Sequence, residues 1–118
     1  MDELSLNSRT RVIEVAGGKT EEWFVDATEL GLDAAPIDAV AGGEPAENAE
    51  VVSGLLAGRA GPARDLAVLN GGAAILVAGG ADDLAGGVQK AAESISSGAA
   101  RDVLEKLAAR SRELAGSG

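Results

Sequence analysis

Between Leu66 and Ala78 thirteen consecutive residues (LAVLNGGAAILVA) include one polar side chain, Asn70, and such a run must be buried. It falls short of the roughly 20 apolar residues that cross a bilayer, and its length favours a central core helix over a strand. Gly71 and Gly72 each cost about 1 kcal/mol relative to Ala inside a helix. Their presence implies that another backbone approaches closely on that face. Asn70 must find hydrogen-bond partners, because a buried unpaired amide costs about 1–3 kcal/mol.

Upstream, residues 9–15 (RTRVIEV) and 20–25 (TEEWFV) are rich in β-branched and aromatic side chains and flank Ala16-Gly17-Gly18-Lys19, which predicts a hairpin. Val12 and Ile13 point to opposite sides, as do Trp23 and Phe24, so both faces are expected to meet apolar partners. Trp23 is expected in the core rather than stacked on a ligand. Two strands are marginal in water, so the hairpin must pack on a larger body. Residues 26–32 (DATELGL) predict a short helical turn with Asp26 as N-cap and Glu29 completing a capping box, and Pro36 starts a second brief turn.

After GGEPAENA (42–49), Val51, Val52, Leu55 and Leu56 follow Asn48 along one helical face, in a helix that starts at Pro45 and stops by Gly58. Asn48 is then an interhelical hydrogen-bonding residue or a site residue. Beyond Gly79-Gly80, Leu84, Val88, Ala91, Ala92 and Ile95 mark another amphipathic helix, with Asp82 and Asp83 at its positive end. Ser96-Ser97-Gly98 separates it from a last helix whose buried face is Val103, Leu104, Leu107 and Ala108, and the closing AGSG is expected to fray.

Composition narrows the chemistry. The 118 residues fit one domain with a core of small aliphatic side chains, since Trp23 and Phe24 are the sole aromatics. A net charge of -9 argues against nucleic acid and against an anionic membrane as partners. No Cys and no His are present, which removes thiolate zinc sites and every nucleophile–histidine arrangement. The start, MDELSLNSR, lacks the pattern of a signal peptide, so the cytoplasm is the expected location. The five Gly-Gly pairs do not make a phosphate-binding loop, because the required spacings and preceding strand are missing. Asp2 and Glu3 are the remaining candidates: a solvated terminus, or part of a magnesium site that needs waters and substrate phosphates to complete its octahedron.

Several segments in order resemble the C-terminal portion of anthranilate phosphoribosyltransferase: MDELSL before a TRVIEV strand, an LGL turn, GGEPAENA, LLAGRAGPARDLAVLN and SGAARDVLEKL. GGEPAENA and GPARDLAVLN are the most specific, being similar to the family's GGD-x-x-x-NA and G-x-x-RD-x-x-x-LNAA runs. The resemblance covers nearly the whole chain. It implies a reaction in which the amine of anthranilate displaces pyrophosphate from C1 of phosphoribosyl pyrophosphate with magnesium assisting. Asp2 and Glu3 then stand where the family has its magnesium-holding acidic pair.

The family's phosphate-cradling loop, its lysine- and histidine-containing loop and its anthranilate-contacting arginine belong upstream, and nothing in this chain matches them. Gly71-Gly72 stands where alanines are usual, and Met1 takes the place of an apolar strand residue. The expectation is a single incomplete domain over residues 1–118, cut from a longer enzyme or begun at an internal methionine. Its fold is α/β, a β-hairpin plus about five helices, from the larger domain of a nucleoside phosphorylase/phosphoribosyltransferase-like fold. Its partner is the missing N-terminal portion. The parent family is commonly homodimeric, through contacts expected to lie in that portion. Alternatively the chain is a non-catalytic helical interaction module derived from such an enzyme; retention of the Asp2-Glu3 pair favours the enzyme.

Overall fold

The structure, a computed structural model, describes residues 2–117. Met1, expected to replace an apolar strand residue, lies outside the described residues. Two strands, β1 (Thr10–Ala16) and β2 (Lys19–Val25), precede 3-10 turns at Ala27–Leu30 and Ile37–Val40. Four helices follow: α1 (Pro45–Leu56), α2 (Pro62–Val77), α3 (Leu84–Ser96) and α4 (Ala99–Ser117). The expected hairpin and helices are therefore present, the helical part comprising these four helices and two turns.

The strands pair antiparallel with Val12 opposite Trp23 and Thr10 opposite Val25. Gly17 and Gly18 form a two-residue connection with φ of 57° and 77°, and a turn with positive φ at both positions matches the right-handed twist of its strands. One face, with Val12, Trp23 and buried Val25, packs against the core. The opposite face departs from expectation: Ile13, Val15 and Phe24 are exposed among the described residues. Phe24 is covered there by the Arg9 guanidinium, 4.5 Å from the ring centroid. Trp23 is a packing residue, as its type suggests, with its indole N–H donating to Glu14 Oε2 at 3.2 Å.

Asp26 caps the first turn by accepting from the Thr28 amide at 3.0 Å and the Thr28 hydroxyl at 2.6 Å. Glu29 makes no return bond to the Asp26 amide; the equivalent reach occurs at α1, where the Glu44 amide donates to Glu47 Oε2 at 2.8 Å. The Thr28 bonds hold the Asp26 carboxyl below its ordinary value of 3.8. A lowered folded-state pKa stabilises the fold above the unfolded value, and that contribution disappears as pH falls through the folded value. Urea midpoints measured from neutral pH downward should therefore fall less steeply on the acid side in Asp26→Asn than in the parent.

The core lies where α2 crosses α3. Val68 and Leu69 on α2 are 1% and 0% exposed, the most enclosed large side chains among the described residues. The close approach implied by the glycines occurs at Gly72, where a Cβ would lie 2.6 Å from the Val88 amide nitrogen. Gly87 of α3 meets the Gly72 carbonyl in return. Gly71 faces Ala91 at an ordinary distance. The apolar run is not buried all round, since Ala67, Ala74 and Val77 are exposed, on sides that no described element covers.

The last helix also differs from expectation. It continues through Ser117 where fraying was expected from Ala115, Gly118 lying outside the described residues, and its apolar stripe is open, with Val103 and Leu107 exposed at 64% and 63%. Periodicity identifies a stripe fit for burial, and too little of this chain lies beside α4 to cover it. No described helix is long and apolar enough to cross a membrane.

Candidate functional site

Asp2 and Glu3 are both exposed and begin a segment that three elements hold in place. Leu4 is fastened to α2: its amide donates to Asn70 Oδ1 at 2.9 Å, and its carbonyl accepts from Asn70 Nδ2 at 3.0 Å. The Ser5 amide donates to Thr10 Oγ1 of β1 at 3.0 Å. Leu6 is buried, and its carbonyl accepts from the Ala35 amide at 3.2 Å in the loop between the 3-10 turns. The acidic pair thus projects from the end of a segment that is ordered despite having no regular secondary structure.

Two adjacent carboxylates supply hard oxygen donors of the kind Mg²⁺ prefers, and in water they leave most of an octahedron to other ligands. Among the described residues no three Asp, Glu, His or Cys side chains gather to hold a metal. The donor set therefore fits an ion delivered with phosphate oxygens, and not an ion caged by this chain alone.

The requirement that Asn70 find partners is met in full, since Nδ2 also donates to the Leu66 carbonyl at 3.1 Å. Its partner Leu4, 66 residues away, had no local signal in the sequence. The expected bond from Asn48 to another helix is absent among the described residues; Asn48 ties down the loop before its own helix, Oδ1 accepting from the Gly43 amide at 2.9 Å and Nδ2 donating to the Gly43 carbonyl at 3.0 Å. On the stripe that Asn48 leads, Val51 and Val52 are exposed and Leu55 packs half-buried against the core. They line a cavity of about 470 Å³ between α1 and the start of α2, together with Leu66, Arg59 and Arg64. The half-buried Arg64 lies 3.7 Å from Asp65, so its charge is partly answered within α2.

An antiparallel hairpin lies beside a crossed helix pair, with an exposed acidic pair ahead of it, an α/β arrangement. Residues 1–101 match the model of the glycosyl transferase family, a/b domain, and the chain belongs to that family. Its relatives include the anthranilate phosphoribosyltransferase of Haloferax volcanii, 51% identical over 102 residues, a match covering 86% of this chain and 31% of that enzyme. The enzyme of the same name from Thermomicrobium roseum is 44% identical over 118 residues, covering 98% of this chain and 34% of its own length. The chain therefore spans about a third of the curated relatives it matches.

Solved structures agree. The crystal structure of anthranilate phosphoribosyltransferase from Thermus thermophilus superimposes with a TM-score of 0.80 at 39% identity, covering 90% of this chain and 31% of that one. A variant of the Saccharomyces cerevisiae enzyme with Mg bound gives 0.79 at 27% identity, covering 89% and 31%.

Proposed function

We propose that this chain is the C-terminal portion of an anthranilate phosphoribosyltransferase, one incomplete domain that contributes an acidic pair to a site completed by the preceding portion of the enzyme. The observation that carries the reading is the 51% identity to an enzyme of that name, together with a shared fold. The reaction is displacement at ribose C1: the anthranilate nitrogen forms a bond to C1, the C1–oxygen bond to pyrophosphate breaks, and the nitrogen loses a proton. Catalysis of such a step consists largely of orienting two substrates and neutralising the leaving group.

Asp2 and Glu3 would hold Mg²⁺, which when bound offsets the negative charge of the departing pyrophosphate. The pair's own work is to present oxygens at one place while leaving coordination positions for phosphate. The remaining residues of the chain order that place: Asn70, Thr10 and Ala35 fix the segment behind it. Arg59 and Arg64 line the cavity beside α1, and their partners there are predominantly apolar. A phosphorylated substrate, retained inside cells by its charge, supports a cytoplasmic location for the enzyme.

The test is a hybrid in which this chain replaces the matching 34% of the Thermomicrobium roseum enzyme. The hybrid should consume anthranilate in the presence of phosphoribosyl pyrophosphate and magnesium, while the purified 118-residue chain should not. A folded hybrid without turnover would favour a non-catalytic module instead. Turnover by the isolated chain, with host enzyme excluded, would overturn its dependence on the preceding portion.

A further inference from the structure

We infer that Asn70 is the positioning residue of the acidic pair, its carboxamide clamping both hydrogen-bonding groups of Leu4 and so fixing the backbone from which Asp2 and Glu3 project. The inference rests on the magnesium-holding role proposed for that pair.

In an antiparallel pair of strands, one residue exchanges its N–H and C=O with the residue opposite. A carboxamide carries the same donor and acceptor side by side and substitutes for that opposite residue. Asn70 does this to Leu4, with bonds of 2.9 and 3.0 Å. Its second amide hydrogen goes to the Leu66 carbonyl one helical turn back, which ties the side chain to α2. Both ends of the clamp are thereby defined, one by the helix and the other by the Leu4 backbone. Asn48 holds Gly43 by the same pair of bonds, so the device occurs twice in the fold.

Core packing alone gives no reason for a polar group at position 70. The run around it is apolar, and an amide even partly withdrawn from water is unfavourable unless it is bonded. What the amide adds is a fixed address for one particular residue. Leu4 is the fastened residue nearest the acidic pair, immediately after Glu3; the next fastenings, at Ser5 and Leu6, lie progressively further from the carboxylates. Mg²⁺ demands near-ideal octahedral geometry, so small excursions of the donor backbone weaken its binding.

The test uses the hybrid enzyme and reads binding rather than turnover. Mn²⁺ pyrophosphate serves as the probe, with its dissociation constant taken from the enhancement of water proton relaxation. Hydrogen–deuterium exchange of the peptide containing Leu4 reports on the clamp itself. Asn70→Ala should speed exchange of that peptide and weaken probe binding roughly tenfold, the scale on which supporting shells act on metal affinity. Asn70→Asp keeps the acceptor for the Leu4 amide but turns a carboxylate oxygen toward the Leu4 and Leu66 carbonyls, so it should also speed exchange and weaken probe binding, and it serves if the alanine variant does not fold. A merely structural role would lower the melting temperature and the fraction of competent protein without changing the dissociation constant.

Asp2→Asn with Glu3→Gln is the reference. If that double variant weakens binding and neither Asn70 variant does, the positioning role is overturned and the metal assignment stands. If the double variant also binds the probe unchanged, the metal assignment itself fails and the positioning role fails with it.

Discussion

Gly72→Ala should destabilise the fold by about 3 kcal/mol, the upper part of the range for overpacking a close-packed interior. The added Cβ would lie 2.6 Å from the Val88 nitrogen and 2.8 Å from its Cα, and these are main-chain atoms that cannot rotate aside. Relief requires α2 and α3 to separate, which disturbs the contacts of Val68, Leu69, Val88 and Ala91 together. Gly71→Ala is the control. Its Cβ meets the Ala91 methyl at 3.4 Å, so the gain in helix propensity, up to about 1 kcal/mol, is not opposed by a clash. Denaturant titration of the two variants in the hybrid enzyme should give shifts of opposite sign. Equal and small shifts would show that the helices do not cross as closely as described.

The second large effect concerns the acidic pair. Asp2→Asn with Glu3→Gln should reduce magnesium-dependent turnover of the hybrid on the order of a hundredfold, the scale for removing a group that stabilises developing charge. Stability should hardly change, because both side chains are exposed and such charges are worth about 0–1 kcal/mol to folding. The diagnostic measurement is rate against magnesium concentration: loss of affinity for the ion moves the midpoint upward. An unaltered rate with an unaltered midpoint would return Asp2 and Glu3 to the status of solvated charges.

Local features of this fold were legible in the sequence and long-range ones were not. The Gly17-Gly18 connection and the β-branched residues around it identify the hairpin, because turn geometry is set by neighbouring dihedrals. The glycines of α2 announce a close approach, but which of them makes it depends on the crossing with α3, and that resolves to Gly72. Apolar periodicity identifies stripes on α1 and α4, but the α4 stripe, expected as a buried face, is open. Val51, Val52, Val103 and Leu107 are exposed because burial needs a second surface, which spacing within one helix cannot reveal. At the candidate site, the residue types of Asp2 and Glu3 left a solvated terminus and a magnesium site both open, and the family resemblance favoured the second. That Asn70 must be bonded followed from its surroundings, whereas its pairing with Leu4 depended on tertiary structure.

The Leu4–Asn70 bonds also order events during synthesis. Leu4 leaves the ribosome 66 residues ahead of the side chain that holds it, so the acidic segment has no α2 to dock on while the hairpin and α1 are being made. Contacts of such separation form late, after the loop between them has closed. A nascent chain stalled before Asn70 should therefore leave the Leu4 segment open to protease, and one released beyond α3 should protect it.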